Sequence, residues 1–170
     1  MNAGEPAMKA LGWARTLPVA TGVRAGRVWA RRHLDELGWT VYAPDTADAV
    51  VLTVSELVTN AHLHAHSDAD LVLTWDGTCL YVSVHDDSVR PPSAREAGPG
   101  ATSGRGLALI DALSDGWRSR ADRTGKTVTV CFRPPARPAG HAGAQFPPGE
   151  VLPLAVEPDQ VMGEVAEPSL

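Results

Sequence analysis

At 170 residues the chain is long enough for one domain with a sizeable core and a tail. Its hydrophobic content of 44% excludes wholesale disorder, and no apolar run approaches the roughly 18–20 residues that span a bilayer. The net charge of −5 argues against a DNA-binding domain, which carries a basic surplus. The N-terminus, MNAGEPAMKALGWARTL, lacks a basic start followed by an apolar stretch, so no signal peptide is expected. The two cysteines, Cys79 and Cys131, fall inside apparent strands and do not make a disulfide framework. The expectation is therefore a protein without a disulfide in a reducing cytoplasm.

Residues 9–17 read as a first strand. Residues 19–37 read as a helix, with Val23, Ala30, Leu34 and Leu37 at helical spacing and Gly38 as the stop. Asp45-Thr-Ala-Asp48 has the form of a capping box after Pro44. It opens a helix to about Ala65, whose apolar face is Ala47, Val50, Val51, Val54, Leu57, Val58, Ala61 and Ala65. Strands 71–75 and 79–85 flank Asp76-Gly77-Thr78, and a tight turn there would pair Leu73 with Leu80 and Leu71 with Val82.

Residues 88–103 are rich in Pro, Gly, Ser and charge and read as a mobile loop. A helix over 104–114 follows, with Leu107, Ile110 and Leu113 on its core side. Two strands, 117–121 and 126–132, close the domain around a turn at 122–125. The division is a short N-terminus (1–8), a domain (9–133) and a Pro-rich acidic tail expected to be disordered (134–170). Helices followed by antiparallel strands predict an α+β, two-layer sandwich: a mostly antiparallel sheet with its helices on one face.

Three features could carry chemistry. Glu56, Asn60 and His64 recur every four residues on the long helix and form one stripe at the border of its apolar face. Such a stripe is either a solvated flank or the lining of a cleft. Asp86 continues the alternation of Leu80, Val82 and Val84, which places a carboxylate at an inward position unless the strand ends at His85. A buried carboxylate needs donors or a counter-charge. Ser103-Gly-Arg-Gly opens the third helix, where Gly104 and Gly106 let a ligand approach the backbone and the helix start offers free N–H groups to phosphate. It is neither a Rossmann fingerprint nor a Walker A loop. His62 and His66, one turn apart, make only an incomplete zinc site.

In this order the pieces resemble the histidine-kinase-like ATPase superfamily, which shares the Bergerat nucleotide fold, and most nearly its anti-sigma factor kinases and their small actinobacterial relatives. SELVTNAHLHA (55–65) is similar to the family's N-box, VSVHDDS (82–88) with Arg90-Pro91-Pro92 to its first glycine box, SGRGLALIDALSDGW (103–117) to its second, and GKTVTVCF (125–132) to its closing strand. The resemblance spans roughly residues 10–134. It departs in the first box: Asp86-Asp87-Ser88-Val89-Arg90 stands where Asp-x-Gly-x-Gly is frequent, so the backbone approaches the base less freely.

The resemblance implies roles. Asn60 would coordinate magnesium on the phosphates, Glu56 would be the general base, and Asp86 would accept the exocyclic amine of adenine. Gly104, Arg105 and Gly106 would hold the phosphates under a lid formed by the loop at 88–103, and Thr127 would lie near the base. The implied function is an anti-sigma factor that uses Mg-ATP to phosphorylate a serine on an antagonist (anti-anti-sigma) protein. Its partners would be that antagonist or a sigma factor, with no direct nucleic acid, no membrane and a homodimer possible in this family. The alternative is an interaction module that keeps the nucleotide site as a structural or switch element. A sensor kinase fragment fits less well, since no paired helices with a phosphoacceptor His precede the domain.

Overall fold

The computed structural model describes residues 11–88, 103–137 and 155–156. Strand β1 (Leu11–Leu17) leads through a short 3-10 turn into α1 (Gly22–Glu36). Gly38 adopts a positive φ of 77° and reverses the chain into a four-residue helix, α2 (Trp39–Tyr42), which the sequence pattern did not reveal. Helix α3 (Pro44–Asn60) follows. Then come β2 (Ala69–Trp75), β3 (Leu80–Asp86), α4 (Ser103–Leu113), β4 (Gly116–Ala121), β5 (Lys126–Phe132) and the short β6 (Ala155–Val156). The sheet order is β4-β5-β3-β2-β1-β6. Its first five strands are antiparallel neighbours, and β6 adds to β1 in parallel through Trp13 and Ala14.

Period-two alternation builds the sheet's inner face. Leu71 and Leu73 on β2, Leu80, Val82 and Val84 on β3, and Val128, Val130 and Phe132 on β5 are all buried. Helix α3 lays Ala47, Val50, Val54, Leu57 and Val58 against them, and α1 packs on α3 through Ala30 and Leu34. Among the described residues the helices cover this face alone. The other face presents Val72, Tyr81, Ser83, His85, Thr127 and Thr129, all half-buried. This is the expected α+β two-layer sandwich with helices on one face.

Several local expectations are corrected. Pro44 occupies the first turn of α3, Ala43 is its N-cap, and no side-chain capping bond forms, so the Asp45–Asp48 capping box is absent. A proline in that turn fixes φ and lacks the N–H that a cap would satisfy. The hairpin register is Leu73↔Val82 and Leu71↔Val84, two residues from the pairing expected. The Asp76 carboxylate accepts the N–H groups of Thr78 (2.8 Å) and Cys79 (2.7 Å), which widens the turn to four residues. A shift of two keeps every side chain on its face, so the core is unaffected. Leu113 is exposed, because α4 ends there, while Leu107 and Ile110 are buried as expected.

Cys79 and Cys131 form a disulfide, against expectation. The two lie 52 residues apart, and only the pairing of β3 with β5 brings their Cα atoms to 6.1 Å, within bridging range. The loop at 89–102, the N-terminus at 1–8 and most of the tail lie outside the described residues. Within 134–137, Arg137 donates to the Leu37 carbonyl (3.0 Å) and its guanidinium sits over the Tyr42 ring, so the chain after β5 docks on α2. No helix among the described residues is long and apolar enough to cross a membrane.

Candidate functional site

Helix α3 does not continue regularly to Ala65. After Asn60 it widens into a single π-helical turn, Ala61–Ala65, which His66 ends in the left-handed region with φ 51°. The wider turn takes His64 off the Glu56–Asn60 stripe, and His64 is exposed. His62 points inward, and its Nε2 donates to the Leu17 carbonyl (2.9 Å), tying the turn to the end of β1. That nitrogen is thereby committed to holding the fold. Ser67 ties the same turn to the end of β3 by accepting the Asp87 N–H (3.1 Å). The π turn thus anchors β1 and β3 around the end of α3.

Glu56 and Asn60 both remain half-buried, one turn apart. Glu56 meets the start of α4. A Cβ built on Gly106 would lie 2.6 Å from the Glu56 Oε2, so the absence of a side chain at 106 is what seats the carboxylate against the helix opening. Gly104 lies in the same first turn, as does Arg105, whose side chain lies outside what is described. The structure thus brings Glu56 to the glycine turn, where free N–H groups favour an anion. Gly106→Ala is expected to leave stability within about 1 kcal/mol, since only a flexible carboxylate tip must yield and Ala favours the helix. It should nonetheless displace Glu56, so any activity that uses this carboxylate should fall at least tenfold while the unfolding midpoint holds. Parallel urea melts and activity assays check this.

Asp86 is the last residue of β3 and points inward, 3% exposed. It is not waiting for a donor. Lys126, the first residue of β5, is its cross-strand neighbour and is 6% exposed. The Lys126 ammonium donates to both Asp86 oxygens, at 3.0 and 2.8 Å, and the Ser88 N–H adds a third bond at 2.9 Å. Gly125 makes this approach possible. It has φ 152°, and any Cβ there would collide with the Asp86 carbonyl. The turn that precedes it is held by Asp122, whose carboxylate accepts from the Thr124 hydroxyl and from the Thr124 and Gly125 N–H groups. The Thr124 hydroxyl beside Asp122 holds its carboxyl below the usual carboxylate range.

Thr127, expected near the base, faces the other way. It lies on the sheet's open face, where its hydroxyl bonds His85 Nδ1 at 3.1 Å. Lys126 holds the inward position instead. The signal was available: extending the alternation of Phe132, Val130 and Val128 back by two residues puts Lys126 on the core face, level with Asp86. Asp86 and Lys126 sit on the inner face at the end of β3 and the start of β5, and α3 packs on both strands.

The described residues contain no cluster of three metal-ligating side chains. Glu56 and Asn60 offer hard oxygen donors, one carboxylate and one amide, which suit magnesium shared with phosphates rather than an all-protein metal cage.

Comparison with known proteins adds three findings. The model of the histidine kinase-like ATPase domain matches residues 20–132. Among solved structures, the chain is similar to the RsbU and RsbW domains of Rv1364c from Mycobacterium tuberculosis, with TM-score 0.57 and 24% identity, covering 74% of this chain and 33% of that one. At this identity the likeness concerns the fold, and the chain spans only a minor part of that protein. Comparison with curated proteins gave no match. The family match runs from the start of α1 to the end of β5 and takes in Glu56, Asn60, Asp86 and the glycine turn; the chain belongs to the histidine kinase-like ATPase domain family, a membership that implies ATP as a ligand.

Proposed function

We propose that the chain is an ATP-dependent regulator of a sigma factor, a protein kinase that transfers the γ-phosphoryl of Mg-ATP to a serine of an antagonist protein. The observation that carries this reading is the contact of Glu56 with Gly106 at the opening of α4. A helix start is a phosphate site, and a carboxylate beside it can take the proton of an attacking hydroxyl. In the transfer, the serine oxygen forms a bond to phosphorus, the bridging oxygen leaves on ADP, and Glu56 accepts the serine proton. Asn60 would hold magnesium, which neutralises phosphate charge when bound. Gly104, Arg105 and Gly106 would cradle the phosphates. The 88–103 loop, as a lid, would exclude water, and the whole would act in the cytoplasm, where ATP and sigma factors meet.

A second reading has its own observation. The Asp86 carboxylate, which would read adenine, is already bound by Lys126. This favours an interaction module with weak catalysis, which binds its partner and keeps the nucleotide site as a switch. One experiment separates the two. ATP is titrated by calorimetry with and without magnesium, and labelled phosphate transfer to serine-bearing antagonists is then followed. The kinase reading expects magnesium-dependent binding that Asn60→Ala weakens at least tenfold, and transfer to one antagonist. Binding of ATP and a sigma factor without transfer to any antagonist would establish the module instead.

A further inference from the structure

Lys126 lies at the place where the nucleotide base would be read, and the proposed function gives it no role. We infer that Lys126 is a specificity-determining residue that uncouples the site from the 6-amino group of adenine, so that the wild-type chain binds purine nucleoside triphosphates with little discrimination at that position. The inference rests on the reading of this cleft as a triphosphate site.

The geometry carries it. An inward Asp can select adenine only if its acceptor lone pairs are free for the exocyclic N–H. Here one ammonium forks across both oxygens, and the Ser88 N–H takes a further lone pair of Oδ1. Both partners are buried, at 3% and 6% exposure, so water does not compete for either. Adenine could claim the carboxylate outright only by expelling the ammonium from it. Leaving a buried charge unpaired costs two to three orders of magnitude in an equilibrium constant, roughly. A neutral amine bonded to a carboxylate returns about ten- to a hundredfold. The exchange is unfavourable, so the base must sit beside the intact pair.

The intact pair has lost its preference for a donor. Oδ2 keeps one spare lone pair, and the ammonium, with three N–H groups, keeps one donor. That combination meets a 6-amino purine through its amine and the adjacent ring nitrogen. It meets a 6-oxo purine equally well through the carbonyl and the ring N–H. Neither group is preferred, and affinity rests on the triphosphate. The close approach enforced by Gly125 and the Asp122 turn keeps Lys126 in this position.

The test compares ATP, ITP and purine riboside triphosphate, which lacks any 6-substituent, by calorimetry with magnesium on the full chain and on Lys126→Met. The wild type should bind ATP and ITP within about threefold, and Lys126→Met, in which Asp86 offers acceptors alone, should prefer ATP over both ITP and purine riboside triphosphate by about tenfold or more. Binding of ATP by Lys126→Met with none by the wild type overturns the inference, because the ion pair would then bar the base outright rather than accept it alongside. A wild-type preference for ATP over ITP of tenfold or more overturns it, because Asp86 would then be selecting the amine through the ion pair. A folded Lys126→Met that still fails to discriminate overturns it too. If Lys126→Met does not fold, the wild-type comparison decides by itself. Absence of binding of every triphosphate by both proteins removes the nucleotide reading itself, and this inference with it.

Discussion

Asp86→Ala is expected to cost about 3–5 kcal/mol of folding stability, the usual consequence of removing one partner from a buried ion pair. The substitution leaves the Lys126 ammonium at the inner end of β5 with no anion among the neighbours that bond it here. It also releases the Ser88 N–H that caps the end of β3. Removing both charges should be far milder, because two buried ions then no longer need desolvation. Asp86→Leu with Lys126→Met is therefore expected to fall within about 1–2 kcal/mol of the wild type, or above it. Urea unfolding of the wild type, Asp86→Leu, Lys126→Met and the double variant reads the coupling directly, with Asp86→Ala measured beside them. A cost below about 1 kcal/mol for Asp86→Ala would show that the lysine swings out to solvent along its flexible stem. In that case the pair does not fasten β5 to β3, and the burial seen here is not what holds Lys126 in place.

Much of the fold was legible because long, strictly periodic segments have one reading. The apolar spacing from Ala47 to Ala61 has the period of a helix, and the alternation from Leu80 to Val84 has that of a strand. Boundaries and turns were less legible, since they depend on single hydrogen bonds. The Asp76 carboxylate decides the hairpin register, and nothing in a composition rule tells a two-residue from a four-residue turn there. The π turn after Asn60 has no local signature either. It follows from the tertiary demands of His62 on Leu17 and of Ser67 on Asp87, which lie 45 and 20 residues away. The Cys79–Cys131 bridge was hidden for the same reason. It needs β5 to insert beside β3, a pairing made across the intervening loop and α4.

The candidate site divides in the same way. The inward position of Asp86 was readable from alternation, and so was the need for a counter-charge. Its partner Lys126 is legible only once β5 is paired with β3 in register, which sets Lys126 level with Asp86 and turns Thr127, one residue along, to the opposite face. Gly106 could be recognised as a close-approach glycine. That the group approaching it is the Glu56 carboxylate is a matter of how α3 and α4 pack.

Glu56→Gln is expected to lower phosphotransfer by roughly 10²–10⁴ while ATP affinity stays within a few-fold. The amide keeps the size of the side chain and its place against Gly106, so the opening of α4 should not move. What it loses is the ability to take a proton from an attacking hydroxyl. Because that loss acts only once the hydroxyl is in place, binding and chemistry should separate. Asn60→Ala should behave differently, with magnesium-dependent binding and turnover falling together. The contrast between two residues one turn apart on α3 is more informative than either loss alone. General collapse of the site would depress binding in both variants, whereas a base and a metal ligand would not. Nucleotide titrations beside single-turnover transfer to a serine-bearing partner supply the four numbers. Transfer by Glu56→Gln at the wild-type rate would mean that another group, or the substrate phosphate itself, accepts the proton. Glu56 would then be left to order the glycine turn, with membership of the family untouched.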